Sequence, residues 1–286
     1  MRELPLLEVL AENLAARVSG RRIESILIRQ PALLQTSAPT PESFAGEFLS
    51  LPGRVGKYLV LETESRRAIV IHLMRAGRIL VVAAPERAAA LPRQLSARVA
   101  FDDGTRLELV EHGKEKRARL WLVEDSSDLA ELQRLGPDPS RGELSHERFR
   151  AALDGASRRL KTFLTDQRAI AGIGNGLSDE ILYEARLSPM RLTGSLTEAE
   201  ARAMHAALLA VVTTQTEKLR QSAQGELPQK EPREHYIVHD HAGAKCPRCA
   251  ATIARVSFTD HELFYCPGCQ TGGKLMQDRR LSKLLK

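Results

Sequence analysis

CPRCAATIARVSFTDHELFYCPGC, residues 246–269, contains all four cysteines of the chain. Cys246 and Cys249 form one pair and Cys266 and Cys269 the other, with residues 250–265 between them. A two-residue gap lets both sulfurs of a pair face one metal ion, and two such pairs suit a tetrahedral zinc held by four thiolates. Two disulfides or free thiols are the competing reading, which a reducing compartment disfavours. The intervening residues alternate as a two-stranded hairpin, with Ile253, Val256 and Phe258 on the way out and Leu263, Phe264 and Tyr265 on the way back. With no open ligand position, the metal is expected to be structural.

Working outward, AQGELPQKEPREH (223–235) is polar and expected to be mobile. His235, His239 and His241 alternate, which suggests the face of a strand before a weak metal site. Before it, HERFRAALDG, SRRLKTFLTDQRAI, SDEILYEARL and TEAEARAMHAALLAVVTTQTEKLRQS carry apolar residues at helical spacing. Gly172, Gly174, Asn175 and Gly176 break two of these helices apart in a tight turn. LGPDPSRG (135–142) is rich in Pro and Gly and reads as a linker. The first 135 residues open with a helix over 5–17, where Leu6, Leu7, Leu10, Leu14 and Val18 recur at three or four residue steps before Gly20. RRIESILIR, YLVLETE, AIVIHLM, GRILVVAA, ARVAFDD and TRLELVE then read as strands, with FDDGT a turn between two of them. The fold class is α+β: an N-terminal helix with an antiparallel β-sandwich (1–135), a linker (136–142), a helical domain (143–235), and a zinc hairpin with a basic tail (236–286). After residue 270 that tail carries Lys274, Arg279, Arg280, Lys283 and Lys286 against Asp278.

The chain has 286 residues, 43% hydrophobic and 27% charged, an ordinary balance that excludes a disordered or fibrous protein. A net charge of +6 permits a nucleic-acid partner without demanding one. The first twenty residues carry acids and lack a long apolar run, so no export signal or membrane span is expected. A cytoplasmic, nucleoid-associated protein is the expectation.

A set of short motifs, in order along nearly the whole chain, resembles the formamidopyrimidine-DNA glycosylase / endonuclease VIII family. They are Glu3-Leu4-Pro5, Gly56-Lys57-Tyr58-Leu59, His72-Leu73 through Gly77, Phe101 to Thr105, Arg119 to Leu122, Leu135 to Pro139, Lys161 to Gln167, Ala171 to Asn175, Asp179-Glu180, and the cysteine hairpin. The resemblance implies a helix–two-turn–helix in the helical domain and a monomer that binds double-stranded damaged DNA in a cleft between its domains. It also implies that the lesion is flipped out of the stack, because its glycosidic bond is unreachable inside the duplex. Glu3 inherits general acid/base work at the sugar, Lys57 a grip on the lesion's phosphate, and Gly174 with Asn175 a phosphate clamp. Lys161 is a further expected DNA contact.

Several positions depart from the family pattern. Arg2 stands where the family has a nucleophilic proline, and Leu6 stands where it usually has a second acid. Initiator methionine is generally removed only before small residues, so Met1 is expected to stay and to offer a primary amine in a shifted position. Arg2 has no nucleophilic chemistry, because its guanidinium stays protonated. Arg75 takes the place of a void-filling methionine, with Met74 one residue away. The wedge loop EHGKEKRAR (111–119) has no Phe, and Lys114, Lys116 and Arg117 make it basic. His261 falls where the family has a phosphate-gripping arginine. The resulting expectation is a base-excision glycosylase that releases bases with help from Glu3 and has weak or absent proline-type lyase activity. A non-catalytic binder of damaged DNA, and a glycosylase for bulky or crosslinked lesions, are the alternatives.

Overall fold

The structure, a computed structural model, describes residues 2–84, 92–112, 116–258 and 261–276. It divides into two compact units, Met1–Arg134 with Arg220–Glu231, and Leu135–Leu219 with Pro232–Lys286.

The first unit opens with α1 (Leu4–Val18), started by Pro5 in its first turn. A proline there loses no hydrogen bond and brings the backbone angle the helix needs. Leu4, Leu7, Leu10, Leu14 and Val18 are buried on one stripe, and α1 packs on β2 and β3. Among the described residues the strands are β1 (Ile23–Ile28), β2 (Gly53–Val55), β3 (Tyr58–Glu62), β4 (Ala68–His72), β5 (Gly77–Val82), β6 (Leu95–Phe101), β7 (Arg106–Glu111) and β8 (Arg119–Val123). They form two four-stranded antiparallel sheets, ordered β1-β6-β7-β5 and β2-β3-β4-β8. In the second sheet Val70 lies opposite both Val60 and Trp121, and these three share a core with Ala68 and Leu129. The predicted FDDGT turn joins β6 to β7: Gly104 adopts φ +81° and the Thr105 amide donates to Asp103 Oδ1 at 2.9 Å. A short helix α2 (Ala130–Gln133) follows β8.

The second unit contains α3 (His146–Asp154), α4 (Leu160–Thr165), α5 (Asn175–Glu184), most of α6 (Glu198–Ala223), the hairpin β9 (Ala254–Ser257) and β10 (Glu262–Tyr265), and α7 (Pro267–Gln270). The residues around Gly136 pack here: the Gly136 amide donates to Gln167 O at 2.8 Å and the Ala171 amide to Pro137 O at 3.1 Å. The core of α5, with Leu177, Ile181 and Tyr183, is fully buried. Tyr183 packs with Val238, Ile253 and Phe264 against the cysteine pairs.

Two adjacent acids of α5 organise the surrounding backbone. Asp179 accepts from Lys161 Nζ at 2.5 Å and from the Phe264 amide at 3.2 Å, and pairs with His239 Nδ1 at 2.8 Å. Glu180 accepts from the amides of Ile237, Val238 and His239 at 2.8–2.9 Å. This corrects the strand expected from alternating His235, His239 and His241. Three consecutive amides that turn onto one carboxylate cannot feed a ladder, and the segment is a 3-10 turn (Arg233–His235) followed by bends. Replacing Glu180 with Ala strands those three amides, two of them on half-buried or exposed residues. A loss of about 3 kcal/mol is expected in urea unfolding followed by circular dichroism. A loss under about 1 kcal/mol would show that the amides find other partners.

Candidate active site and nucleic-acid interface

In the first unit the backbone gathers four charged side chains at the start of α1. Glu3 immediately precedes the helix in an extended conformation, and its carbonyl accepts the first helical bond from Leu7 at 3.2 Å. The Arg2 amide donates to Met74 O at 3.2 Å, tying this end to the turn between β4 and β5. The Glu3 amide donates to Glu231 Oε1 at 2.8 Å, and the Arg2 guanidinium lies 3.6 Å from Glu231 Oε2. Lys57 enters from the β2–β3 turn, where Gly56 adopts φ +54°. Arg2, Glu3 and Lys57 are each at most 8% exposed. Burial pushes the Lys57 ammonium below the usual lysine range, while the charges of Glu3 and Glu231 oppose that shift. Burial raises the Glu231 carboxyl, and the Glu3 charge raises it further. Met1 lies outside the described residues.

Met74 and Arg75 sit in the β4–β5 turn, Met74 with φ +52° and Arg75 exposed. His72 holds this turn, because its Nδ1 accepts from the Met74 amide at 3.2 Å. Gly77 closes it; a Cβ there would stand 2.5 Å from Leu73 O. His72 is pushed down to about 4 by burial and by the nearby Lys57 and Arg119 charges. In the loop after β7, Glu111 accepts from the Arg117 and Ala118 amides at 2.8 and 2.9 Å. Arg117 is exposed and Lys116 half-buried; Lys114 lies outside the described residues.

In the second unit Gln167 shapes the turn before α5. Its Nε2 donates to Ile173 O at 2.8 Å and its Oε1 accepts from the Gly172 amide at 3.0 Å. Gly172 adopts φ +87°, which a residue with a Cβ resists. Asn175 is the exposed first residue of α5, with Gly174 buried behind it. A Cβ on Gly176 would stand 2.9 Å from Tyr236 Oη. The helix start, lined by backbone amides, favours an anion. Lys161, by contrast, faces inward. It is 5% exposed, and its ammonium bonds Asp179, Asn175 O and Glu262 O, so it supports the turn from below. His261 stacks on Phe258, with ring centroids 4.7 Å apart and planes at 10°.

The sulfurs of Cys246, Cys249, Cys266 and Cys269 all lie within 4.8 Å of one another and form no disulfide. Zinc–sulfur bonds of about 2.3 Å in a tetrahedron require sulfurs about 3.8 Å apart, and the Cys246–Cys269 separation is 3.8 Å. Tyr183 Oη reaches Cys246 Sγ at 3.4 Å, and Arg248 lies over the Tyr183 ring at 4.2 Å. A Cβ on Gly268 would stand 2.7 Å from Cys249 Sγ, so the second cysteine pair needs glycine at that position.

Comparison with known proteins matches this arrangement along the chain. Residues 1–115 match the formamidopyrimidine-DNA glycosylase N-terminal domain, 135–224 its H2TH domain, and 243–272 the zinc finger found in FPG and IleRS. A formamidopyrimidine-DNA glycosylase of Chloroflexus aurantiacus is 33% identical over 280 residues, covering 94% of this chain and 98% of that protein. The chain belongs to the formamidopyrimidine-DNA glycosylase family. A Mycobacterium tuberculosis formamidopyrimidine-DNA glycosylase-like protein of the family is 43% identical over 153 residues, covering 53% of this chain and 94% of its own. Among solved members, the Lactococcus lactis glycosylase bound non-covalently to DNA containing an abasic site gives a TM-score of 0.82 at 23% identity, over 94% of this chain and 99% of that one. The family's zinc finger and the four-sulfur cluster together define one structural zinc site in this chain.

Sequence reading missed Glu231. It lies in the polar stretch expected to be mobile, and nothing local marks it. The stretch instead runs back along α1: Arg17 donates to Gly225 O, Asn13 Nδ2 to Glu226 O at 2.7 Å, and Gln229 Nε2 to Ile79 O at 3.1 Å.

Two outcomes are expected. Atomic absorption of the purified protein should give one zinc per chain, and Cys266→Ser should lower that stoichiometry and the melting temperature together. For His72, the folded pKa lies below the unfolded value of about 6.5, so its contribution is complete above that value and is lost as pH falls toward 4. It amounts to about 2–3 kcal/mol. His72→Gln should therefore lose that much less stability than the parent between pH 7 and 4, measured by urea unfolding; equal losses would show that His72 is not the group responsible.

Proposed function

We propose that this family member is a base-excision DNA glycosylase, acting as a monomer on damaged double-stranded DNA, and that it releases the base by hydrolysis with Glu3 as general base. The observation that carries this reading is the buried carboxylate of Glu3 beside the Lys57 cation at the start of α1, in a chain whose preceding residue is Arg2. Breaking an N-glycosidic bond makes the sugar oxocarbenium-like, and a carboxylate nearby stabilises that charge. Water supplies the new bond to C1′. Its proton passes to the Glu3 carboxylate, the glycosidic electron pair leaves with the base, and the departing base takes up a proton from solvent.

Arg2 offers no amine for a covalent route. With Met1 joined to it, its nitrogen is a peptide amide that donates to Met74 O, and its guanidinium is paired with Glu231. Lys57 supplies a positive charge suited to the lesion's phosphate, and in the second unit the amides ahead of Asn175 suit a phosphate of the backbone. Arg75, Lys116 and Arg117 supply further backbone contacts, and no Phe stands in the loop to wedge into the stack.

A panel of oligonucleotide duplexes carrying oxidised, alkylated, abasic and crosslinked sites tests this reading. Base release from at least one lesion is expected, with Glu3→Gln slower by about 10²-fold or more in single turnover. Borohydride should trap little covalent protein–DNA adduct. Tight binding with no release from any lesion would instead identify a damage-specific DNA-binding protein, and undiminished release by Glu3→Gln would remove Glu3 from the mechanism.

A further inference from the structure

Four thiolates around one divalent zinc ion leave a net double negative charge, and this chain buries part of it. Cys246 and Cys266 are at most 2% exposed, whereas Cys249 is exposed and Cys269 half-buried. A buried anion needs donors aimed at it. Cys266 Sγ takes the Cys269 amide at 3.5 Å. Cys246 Sγ takes the Arg248 and Cys249 amides, which the loop of the cysteine pair supplies from its own backbone. A further donor comes from a different element. Tyr183 of α5 is fully buried, and its Oη lies 3.4 Å from Cys246 Sγ. A metal-bound thiolate carries no proton, so in this contact the tyrosine hydroxyl donates and the sulfur accepts.

Arg248, inside the first cysteine pair, holds the ring in place. Its guanidinium lies over the Tyr183 ring at 4.2 Å, donates to Tyr183 O at 2.9 Å and pairs with Glu184. Val238, Ile253 and Phe264 pack with the same tyrosine. A cation over the ring face draws electron density from the phenol oxygen and makes its O–H a stronger donor.

We propose that Tyr183 is a positioning residue for the zinc site: its hydroxyl donates to the Cys246 thiolate, Arg248 holds the ring that carries it, and the pair slows loss of the metal. Tyr183 is then part of the site's electrostatics as well as of the hairpin's core. Without the hydroxyl, the buried Cys246 thiolate keeps only backbone donors. The charge of the cluster becomes costlier to hold, and the metal leaves sooner.

The test uses the full chain loaded with zinc, as the parent, Tyr183→Phe, Arg248→Met and Ile253→Val. Tyr183→Phe keeps the ring and removes one oxygen. Transfer of its zinc to an excess of a chromogenic chelator should run about tenfold or more faster than in the parent. Cobalt(II) in place of zinc gives a second readout, because its sulfur-to-metal charge-transfer band moves to longer wavelength when a thiolate loses a hydrogen-bond donor. That band should be displaced in Tyr183→Phe. It should stay at its parental position in Ile253→Val, which loosens the same core without removing a donor. Arg248→Met removes the cation over the ring and should displace the band in the same direction by less, and it decides the matter by the same two readouts if Tyr183→Phe fails to fold. Faster transfer together with a displaced band supports the proposal. Faster transfer with an unmoved band would show a packing role alone and overturn it, and so would unchanged transfer.

Discussion

Taking charge out of water is expensive unless an opposite charge accompanies it, and the first unit is built around one such compensation. Arg2, Glu3, Lys57 and Glu231 come from three separate stretches of chain, yet each is compensated by another member of the group. Removing Glu231 takes from the buried Arg2 guanidinium its ion-pair partner, which costs more than the loss of a surface pair. The start of α1, the β2–β3 turn and the return segment after α6 thus share one charged cluster. The same balance leaves the Glu3 carboxylate beside the Lys57 cation.

The second unit solves a parallel problem with Asp179 and Glu180. One takes Lys161, His239 and the Phe264 amide; the other takes three consecutive amides of the segment that leads into the cysteine hairpin. Adjacent residues on a helix point in different directions, so a single pair of acids joins the glycine turn to β10 on one side and to the 236–239 bends on the other. The zinc site completes this body, since its thiolates close a hairpin whose apolar side, with Ile253 and Phe264, is already packed on Tyr183. The exposed start of α5 at Asn175 is thus supported from below by the buried Lys161.

Much of this was legible in the residues themselves. The helical spacing of Leu7, Leu10 and Leu14, the alternating strands and the FDDGT turn depend on local periodicity and local turn chemistry, and the structure places them as read. The cysteine spacing is a local signal too. Reading failed where a side chain serves a partner far along the chain. Lys161 looks like a DNA contact on a helix, yet it is spent on Asp179, eighteen residues later, and on the backbone of β10. The histidines at 235, 239 and 241 alternate like a strand, but Glu180 captures the amides that a strand would need. Glu231 carries no local mark, because its role arises from a contact 228 residues away.

Arg2 stands where the resemblance to the family implies a nucleophilic proline, and the proposed route turns on that position. A carboxylate that directs water and an amine that attacks the sugar leave different marks at C1′. Base release carried out in water containing methanol reads the difference directly, because methanol competes with water for the same position and its product is stable. Water attack set up by Glu3 predicts a 1′-O-methyl glycoside that grows in proportion to the methanol fraction, with the strand left intact. Base release that yields no methyl glycoside and goes instead to a cleaved strand would contradict it.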